Sequence, residues 1–419
     1  MLKQSDLKDR VVHSFPGLGI FTTETIKAYH ESDWLVKMFT TIVIHKDKNW
    51  VKALKIILPS YIHKFKNRNF NQVPLKKIGI YPYKELIRLF AVRFLSLSTT
   101  DRIWEWAELS FDKWAAKQLN PEIRMVHAYE HAALATFKKA EELGVFKVLE
   151  QTSQHYTHFE KLIKQQFEKY PELKSAYNER VSGKLILKRN ERKKQEYALA
   201  DLIICNSSFT KKTLITGNVE KSKIIVIPLA FPETVKKRPI KQGNIFTFLY
   251  AGSLSVRKGT HLLLEIWQKN FSSQTNLELI LVGKNLLPQS LTSIKSDNIK
   301  IIDFVHQTEL EKLYDNADVF VFPTLADGFG MVITEAMARG LPVIASDHSA
   351  GPDLIEHQKN GLIAKSGDLE DLTKQMNWCI ENKSLLPEIS NQALIKANTY
   401  QWADYRENLI FKISEKINA

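Results

Sequence analysis

The chain has 419 residues, 44% of them hydrophobic and 25% charged, a composition that excludes a disordered polypeptide and a length that favours two domains over a single core. No apolar run reaches the roughly 20 residues a membrane-spanning helix needs, the polar start MLKQSDLKDR lacks a signal-peptide layout, and the two cysteines, Cys205 and Cys379, lie too far apart in sequence to form a Cys-x-x-Cys motif. A cytoplasmic protein with neither a disulfide scaffold nor a zinc module is expected, and its net charge of +13 calls for an anionic partner: nucleic acid, anionic lipid or phosphorylated small molecules.

In chain order, RVVHSF (10–15) reads as a short strand and PGLG (16–19) as a loop carrying Gly17 and Gly19, with a helix expected from about Thr22. Residues 44–77 then concentrate the charge, with nine Lys or Arg against the single acid Asp47. Trp50, Ile56, Tyr61, Phe65 and Phe70 are interleaved with these cations. Two readings stand for this stretch, an anionic membrane contact or a solvated helix face with an ordinary core side. IRMVHAY (123–129), FKVLEQTS (146–153) and ADLIICNS (200–207) supply further strands of a first parallel-sheet domain.

The join falls in PLAFPETVKKRPIKQGN (228–244), which has three prolines and no apolar period. Beyond it, strands FTFLYAG (246–252), LELILVG (277–283), IKIIDFV (299–305), VFVFP (319–323), PVIAS (342–346) and GLIA (361–364) alternate with helices at 260–268, 308–317, 331–339, 352–356 and 369–382. Near-continuous apolar strands alternating with helices specify a parallel sheet covered on both faces, which binds ligands beyond its carboxyl edge. The last segment, 400–417, is an amphipathic helix expected to cross back to the first domain.

Two loops in the second half carry candidate chemistry. In AGSLSVRKGTHLLL, Arg257 and Lys258 precede Gly259 at a helix start, where cations and the helix's positive end converge as a diphosphate requires; basic residues before a helix are also common without function. In TLADGFG, Gly328 and Gly330 let backbone amides approach a ligand, and a helix opens at Met331. Asp327 and Glu335, with seven residues between them, suit sugar and ribose hydroxyls because ionised carboxylates only accept hydrogen bonds. Glu335 has a plainer explanation too, since the dipole favours an acid near a helix start. His127 and His131 have i, i+4 spacing, but their segment begins as a strand and no metal pair is expected; Asp-x-Asp occurs nowhere.

The run ADGFGMVITEAMARGLPVIASDHSAGPDLIEHQKNGLI, with AGSLSVRKGTHLLL, ADLIICNSSFTKKTL and KIIVIPLA before it, resembles the family 4 retaining glycosyltransferases of the GT-B fold. The likeness is specific over roughly 196–380. It implies two Rossmann-like parallel-sheet domains facing a cleft: 1–235 on the acceptor side, joined by the helix at 400–419, and 236–399 for the donor. It implies a metal-independent transfer of a sugar from a nucleoside diphosphate to a glycan or lipid-linked acceptor, in cell-envelope polysaccharide or glycolipid assembly.

The donor would touch Gly17, Gly19, Arg257, Lys258, Asp327, Gly328, Phe329, Gly330, Met331 and Glu335, with His155, Lys258 and Asp327 catalytic. Glu335 matches the family's ribose-binding glutamate, whereas Asp327 stands where glutamate is usual, and Ser253 stands where arginine often follows the glycine; Arg257 is expected to supply that charge. His155 is preferred to His158 as the histidine facing the donor sugar. No cofactor is expected, nucleic acid ranks last as a partner, and the protein is expected in the cytoplasm, peripheral on the inner face of the membrane. A sugar-nucleotide epimerase of the same fold and an inactive donor-binding subunit are the alternatives.

Overall fold

Two all-parallel sheets organise the chain, and most of their inner strands are buried along their whole length because helices cover both faces. The computed structural model describes residues 3–45, 68, 70–173, 184–293 and 296–418. Most of the basic stretch 44–77, including Lys52, Lys55, Lys64 and Lys66, therefore lies outside the described residues.

The first sheet comprises β1 (Val11–Ser14), β2 (Leu35–Thr40), β3 (Ile78–Ile80), β4 (Met125–Tyr129), β5 (Phe146–Gln151), β6 (Leu202–Cys205) and β7 (Ile224–Val226), in the order β3-β2-β1-β4-β5-β6-β7. Between and after these strands run α1 (Ile20–Glu31), α2 (Tyr83–Phe94), α3 (Leu97–Lys117), α4 (Leu134–Glu142), α5 (Tyr156–Lys169), α6 (Lys184–Leu199) and α7 (Ser208–Thr216). The second sheet comprises β8 (Phe246–Ala251), β9 (Leu277–Val282), β10 (Ile299–Ile302), β11 (Val319–Phe322), β12 (Val343–Ser346) and β13 (Leu362–Ala364), in the order β10-β9-β8-β11-β12-β13. Its helices include α8 (Thr260–Asn270), α9 (Gln307–Asn316), α10 (Met331–Ala338), α11 (Leu369–Glu381) and α12 (Leu386–Ala397). Strand order reverses between β1 and β4 and again between β8 and β11, so each sheet has one switch point, and the loops leaving those strands frame a crevice.

The last helix, α13 (Trp402–Asn418), returns to the first domain and lies on α1. Tyr405, Leu409, Ile413 and Ile417 repeat every four residues and are buried, which is the stripe a docked helix needs. Tyr405 Oη lies 2.9 Å from Thr25 Oγ1, and Arg406 reaches both Glu24 and Glu31 of α1. Helix α1 begins at Ile20, two residues before the expected start: Gly19 enters the helix with an extended φ of −130°, and the Thr23 and Thr25 hydroxyls bond back into the helix at Ile20 and Phe21.

Beneath the first switch point lies a buried polar layer. His127 Nδ1 meets Tyr29 Oη at 2.8 Å, His127 Nε2 meets Glu150 Oε2 at 3.0 Å, and His13 Nε2 meets Tyr129 Oη at 3.1 Å. Burial pushes the Glu150 carboxyl up to about 8 and the His127 imidazole down to about 3, so near neutral pH both are uncharged. The folded state thus holds a proton that the unfolded chain releases near 4.5, and this group's contribution to stability falls as pH rises from about 4.5 to about 8. Glu150→Gln should flatten that part of the curve; urea unfolding at several pH values would show it, and an unchanged slope would contradict the assignment.

Candidate active site

The site is built where β8 and β11 end side by side. The loop after β8 reaches Gly259, which starts α8 at φ 67°, and a Cβ there would lie 2.0 Å from the Pro323 carbonyl oxygen, so only glycine lets the two loops adjoin. Arg257 then fastens them: its carbonyl accepts from Leu325 N at 2.9 Å and Thr324 Oγ1 at 3.1 Å, while its Nη1 donates to Ala326 O at 3.0 Å. Gly330, left-handed at φ 87°, starts α10. Neither Gly259 nor Gly330 offers a side chain to its helix, so both first turns can present backbone N–H groups to an anion.

These constraints bring Lys258, Arg257 and Asp327 together. Lys258 Nζ donates to Asp327 Oδ2, Arg257 Nη1 lies 3.5 Å from the same oxygen, and Phe329 N reaches Asp327 Oδ1 at 3.4 Å. Burial alone would raise the Asp327 carboxyl, but Lys258 and Arg257 together draw it below its ordinary value. Burial lowers the Lys258 ammonium, against the pull of Asp327. The sequence expectation assigned the cations to a diphosphate and the acid to a sugar; in the structure they bind each other, so an incoming anion has to share Lys258 with Asp327. Phe329 itself is buried, and Met331, the first residue of α10, packs on the core, so what these two offer a ligand is backbone.

Glu335 is the fifth residue of α10, beyond the first turn, so the simple dipole explanation for an acid at this position weakens. Its Oε2 accepts from Tyr314 Oη on α9 at 3.0 Å, and burial raises its carboxyl above the ordinary value.

Across the crevice the first domain touches the DGFG loop directly. The Gly328 carbonyl accepts from Ser207 Oγ and from Thr210 Oγ1 at 3.3 Å, and Ser208 N donates to Asp353 Oδ2 at 2.8 Å. His158 of α5 meets His348 edge-on at 5.2 Å. This is not the arrangement expected for His155, which is 1% exposed within the first domain. The His155 ring packs on Tyr156 and Tyr197 and over Gly217, and its Nδ1 accepts from Thr157 N to cap α5. His155 caps and packs here because β5 stops at Gln151 and α5 begins at Tyr156, which leaves His155 as the residue that enters the helix. Gly17 and Gly19 sit in the β1–α1 loop, where Phe15 and Phe21 of the same domain are their nearest neighbours. His127 and His131 do not converge on a common point: His127 belongs to the buried layer, and the His131 ring lies against Trp104.

Residues 232–398 match the family model described as glycosyl transferases group 1. Over these residues the second domain is similar to the group 1 glycosyl transferases. It contains β8 through β13 and, with them, Arg257, Lys258, Asp327 and Glu335.

The capsular polysaccharide biosynthesis glycosyltransferase CapM of Staphylococcus aureus is 24% identical over 212 residues, covering 46% of this chain and 56% of that protein. The amylovoran biosynthesis glycosyltransferase AmsK of Erwinia amylovora is 31% identical over 135 residues, 30% of this chain and 33% of that one. An uncharacterised glycosyltransferase of Haemophilus influenzae is 27% identical over 180 residues, 42% of this chain and 51% of that protein. The chain thus spans about half the length, or less, of these curated relatives.

The architecture extends further than the sequence likeness. The crystal structure of HepE from Anabaena in complex with UDP and glucose aligns over 97% of this chain and 99% of that one, with a TM-score of 0.60 and 16% identity. Sucrose-phosphate synthase from Thermosynechococcus elongatus aligns over 97% and 98%, also at 0.60 and 16%. The two Rossmann-like domains of the GT-B arrangement are what these chains share. Around this site, sequence reasoning missed Tyr314, His348, Ser207 and Thr210. Only the ADLIICNSSFTKKTL run gave a local signal for any of them, the serine that caps α7.

Proposed function

We propose that the protein transfers a hexosyl group from a nucleoside diphosphate donor to a glycan or lipid-linked acceptor, with retention and without a metal or other cofactor, in envelope polysaccharide or glycolipid assembly. One observation carries this reading: within a group 1 domain, Lys258, Arg257 and two helix starts without side-chain caps gather at the switch point of the sheet, with the carboxylates of Asp327 and Glu335 on the same loop and helix. As the bond from sugar to phosphate breaks, negative charge grows on the leaving diphosphate, and fixed cations and amides at that point stabilise it most. Glu335, oriented by Tyr314, accepts from ribose hydroxyls; Asp327 and the Gly328–Met331 backbone face the sugar.

A thermal-shift screen of nucleotide sugars tests the donor, because a ligand that binds only the folded state raises its melting temperature by mass action. Glu335→Ala should weaken the best donor about tenfold, the loss of one good hydrogen-bonding carboxylate of about 1.4 kcal/mol. A variant that binds that donor as tightly as the parent would remove Glu335 from the site. The bond between Asp327 and Lys258 favours one other reading, a donor-binding subunit that assists a partner. Donor binding without turnover on a broad acceptor panel would select it.

A further inference from the structure

Glu130 is the first residue past β4, at the switch point of the first sheet, and its side chain is only 6% exposed. Four donors meet its two oxygens. Gln151 Nε2 at 3.0 Å and Lys193 Nζ at 2.9 Å reach Oε2, while Ser153 Oγ at 2.7 Å and Thr152 Oγ1 at 3.2 Å reach Oε1; His131 Nε2, at 3.8 Å, is beyond hydrogen-bond distance. An ionised carboxylate offers about four lone-pair positions and no donor, so this set uses all of them. Burial would raise the carboxyl, but Lys193 above all draws it down to about 2, and it is fully charged near neutral pH.

Three of these donors belong to the consecutive residues Gln151, Thr152 and Ser153, so one carboxylate fixes the turn between β5 and α5. That turn is where the second domain meets the first. A Cβ on Gly328 would lie 1.8 Å from the Thr152 carbonyl oxygen, to which Asn206 Nδ2 donates at 3.4 Å, and the neighbouring Ser207 donates to the Gly328 carbonyl. Gly328 directly follows Asp327, the partner of Lys258. For stability alone, apolar residues of similar volume serve as well as a buried ion pair. What the carboxylate adds is direction, because its bonds orient three successive residues at once.

We infer that Glu130 is a positioning residue: its four bonds hold the turn 151–153 in place as the seat of the DGFG loop, and so set how the two domains close around the donor site. The inference rests on the transferase reading as far as its effect on turnover goes. Glutamine cannot take the place of Glu130, since its amide keeps only two lone-pair positions and turns an N–H toward groups that are themselves donors. Aspartate keeps all four positions on a side chain one methylene shorter.

Parent, Glu130→Gln, Glu130→Asp and the double variant E130Q/K193M are compared in the full chain. Spin labels on cysteines introduced by Lys138→Cys and Lys374→Cys, exposed positions on α4 and α11, report the separation of the domains, and the native Cys205 and Cys379 are buried. Glu130→Gln should broaden the distance distribution and lower kcat at least about tenfold, while KM for the donor stays within about twofold because the nucleotide contacts lie on the other domain. It should also melt lower, since Lys193 loses its partner charge. The double variant removes that stranded ammonium and should regain the melting temperature but neither the narrow distribution nor the rate; Glu130→Asp should regain most of both. Recovery of rate and distances along with melting temperature in E130Q/K193M would make Glu130 a purely structural residue and overturn the inference, as would a parental distance distribution in Glu130→Gln. A parent without any turnover overturns the transferase reading alone, because the distances still decide on Glu130.

Discussion

Lys258→Ala should lower sugar transfer by at least about 100-fold and destabilise the fold by about 3 kcal/mol. The first figure follows from removing one fixed charge at the point where the leaving diphosphate becomes more negative. The second follows from leaving Asp327, whose side chain is only 15% exposed, with Arg257 at 3.5 Å as its remaining cation. A double variant separates the two effects: adding Asp327→Ala removes the unpaired carboxylate and should restore most of the stability while activity stays lost. Acid should have opposite effects on parent and single variant. The depressed Asp327 carboxyl of the parent contributes stability that is lost as pH falls through its folded value, whereas in Lys258→Ala protonation of the stranded acid relieves the penalty. Urea unfolding and initial rates across pH measure both, and full activity in Lys258→Ala would remove the diphosphate assignment.

The second large effect is expected at Gly328. A Cβ there would stand 1.8 Å from the Thr152 carbonyl oxygen and 3.2 Å from Ser153 Cα, all backbone of the first domain, so no side chain can swing away. Gly328→Ala should therefore push the two domains apart at the DGFG loop and disturb the bonds that Ser207 and Thr210 make to its carbonyl. Each domain's own core is untouched, so the melting temperature should change little, while kcat/KM falls by at least about 100-fold, the cost of a misplacement of about 1 Å at a reacting centre. Small-angle scattering alongside kinetics checks this. Normal turnover would show that the contact between Thr152 and Gly328 is no part of the working arrangement.

Much of this was legible in the sequence because it is local. The apolar runs that became β8, β9, β11 and β12 need only neighbouring residues to declare themselves, and two glycines, Gly259 and Gly330, mark where backbone must take left-handed values at a helix start. What the chain itself determined was therefore the alternation of strand and helix, the parallel sheets and the loops that carry charge. Tertiary structure alone decided which side chains meet: that Lys258 binds Asp327, that Tyr314 holds Glu335 across 21 positions, that His155 turns inward while His158 looks across to His348. Each of these depends on the approach of segments distant in sequence, and periodicity and propensity describe only the segment itself.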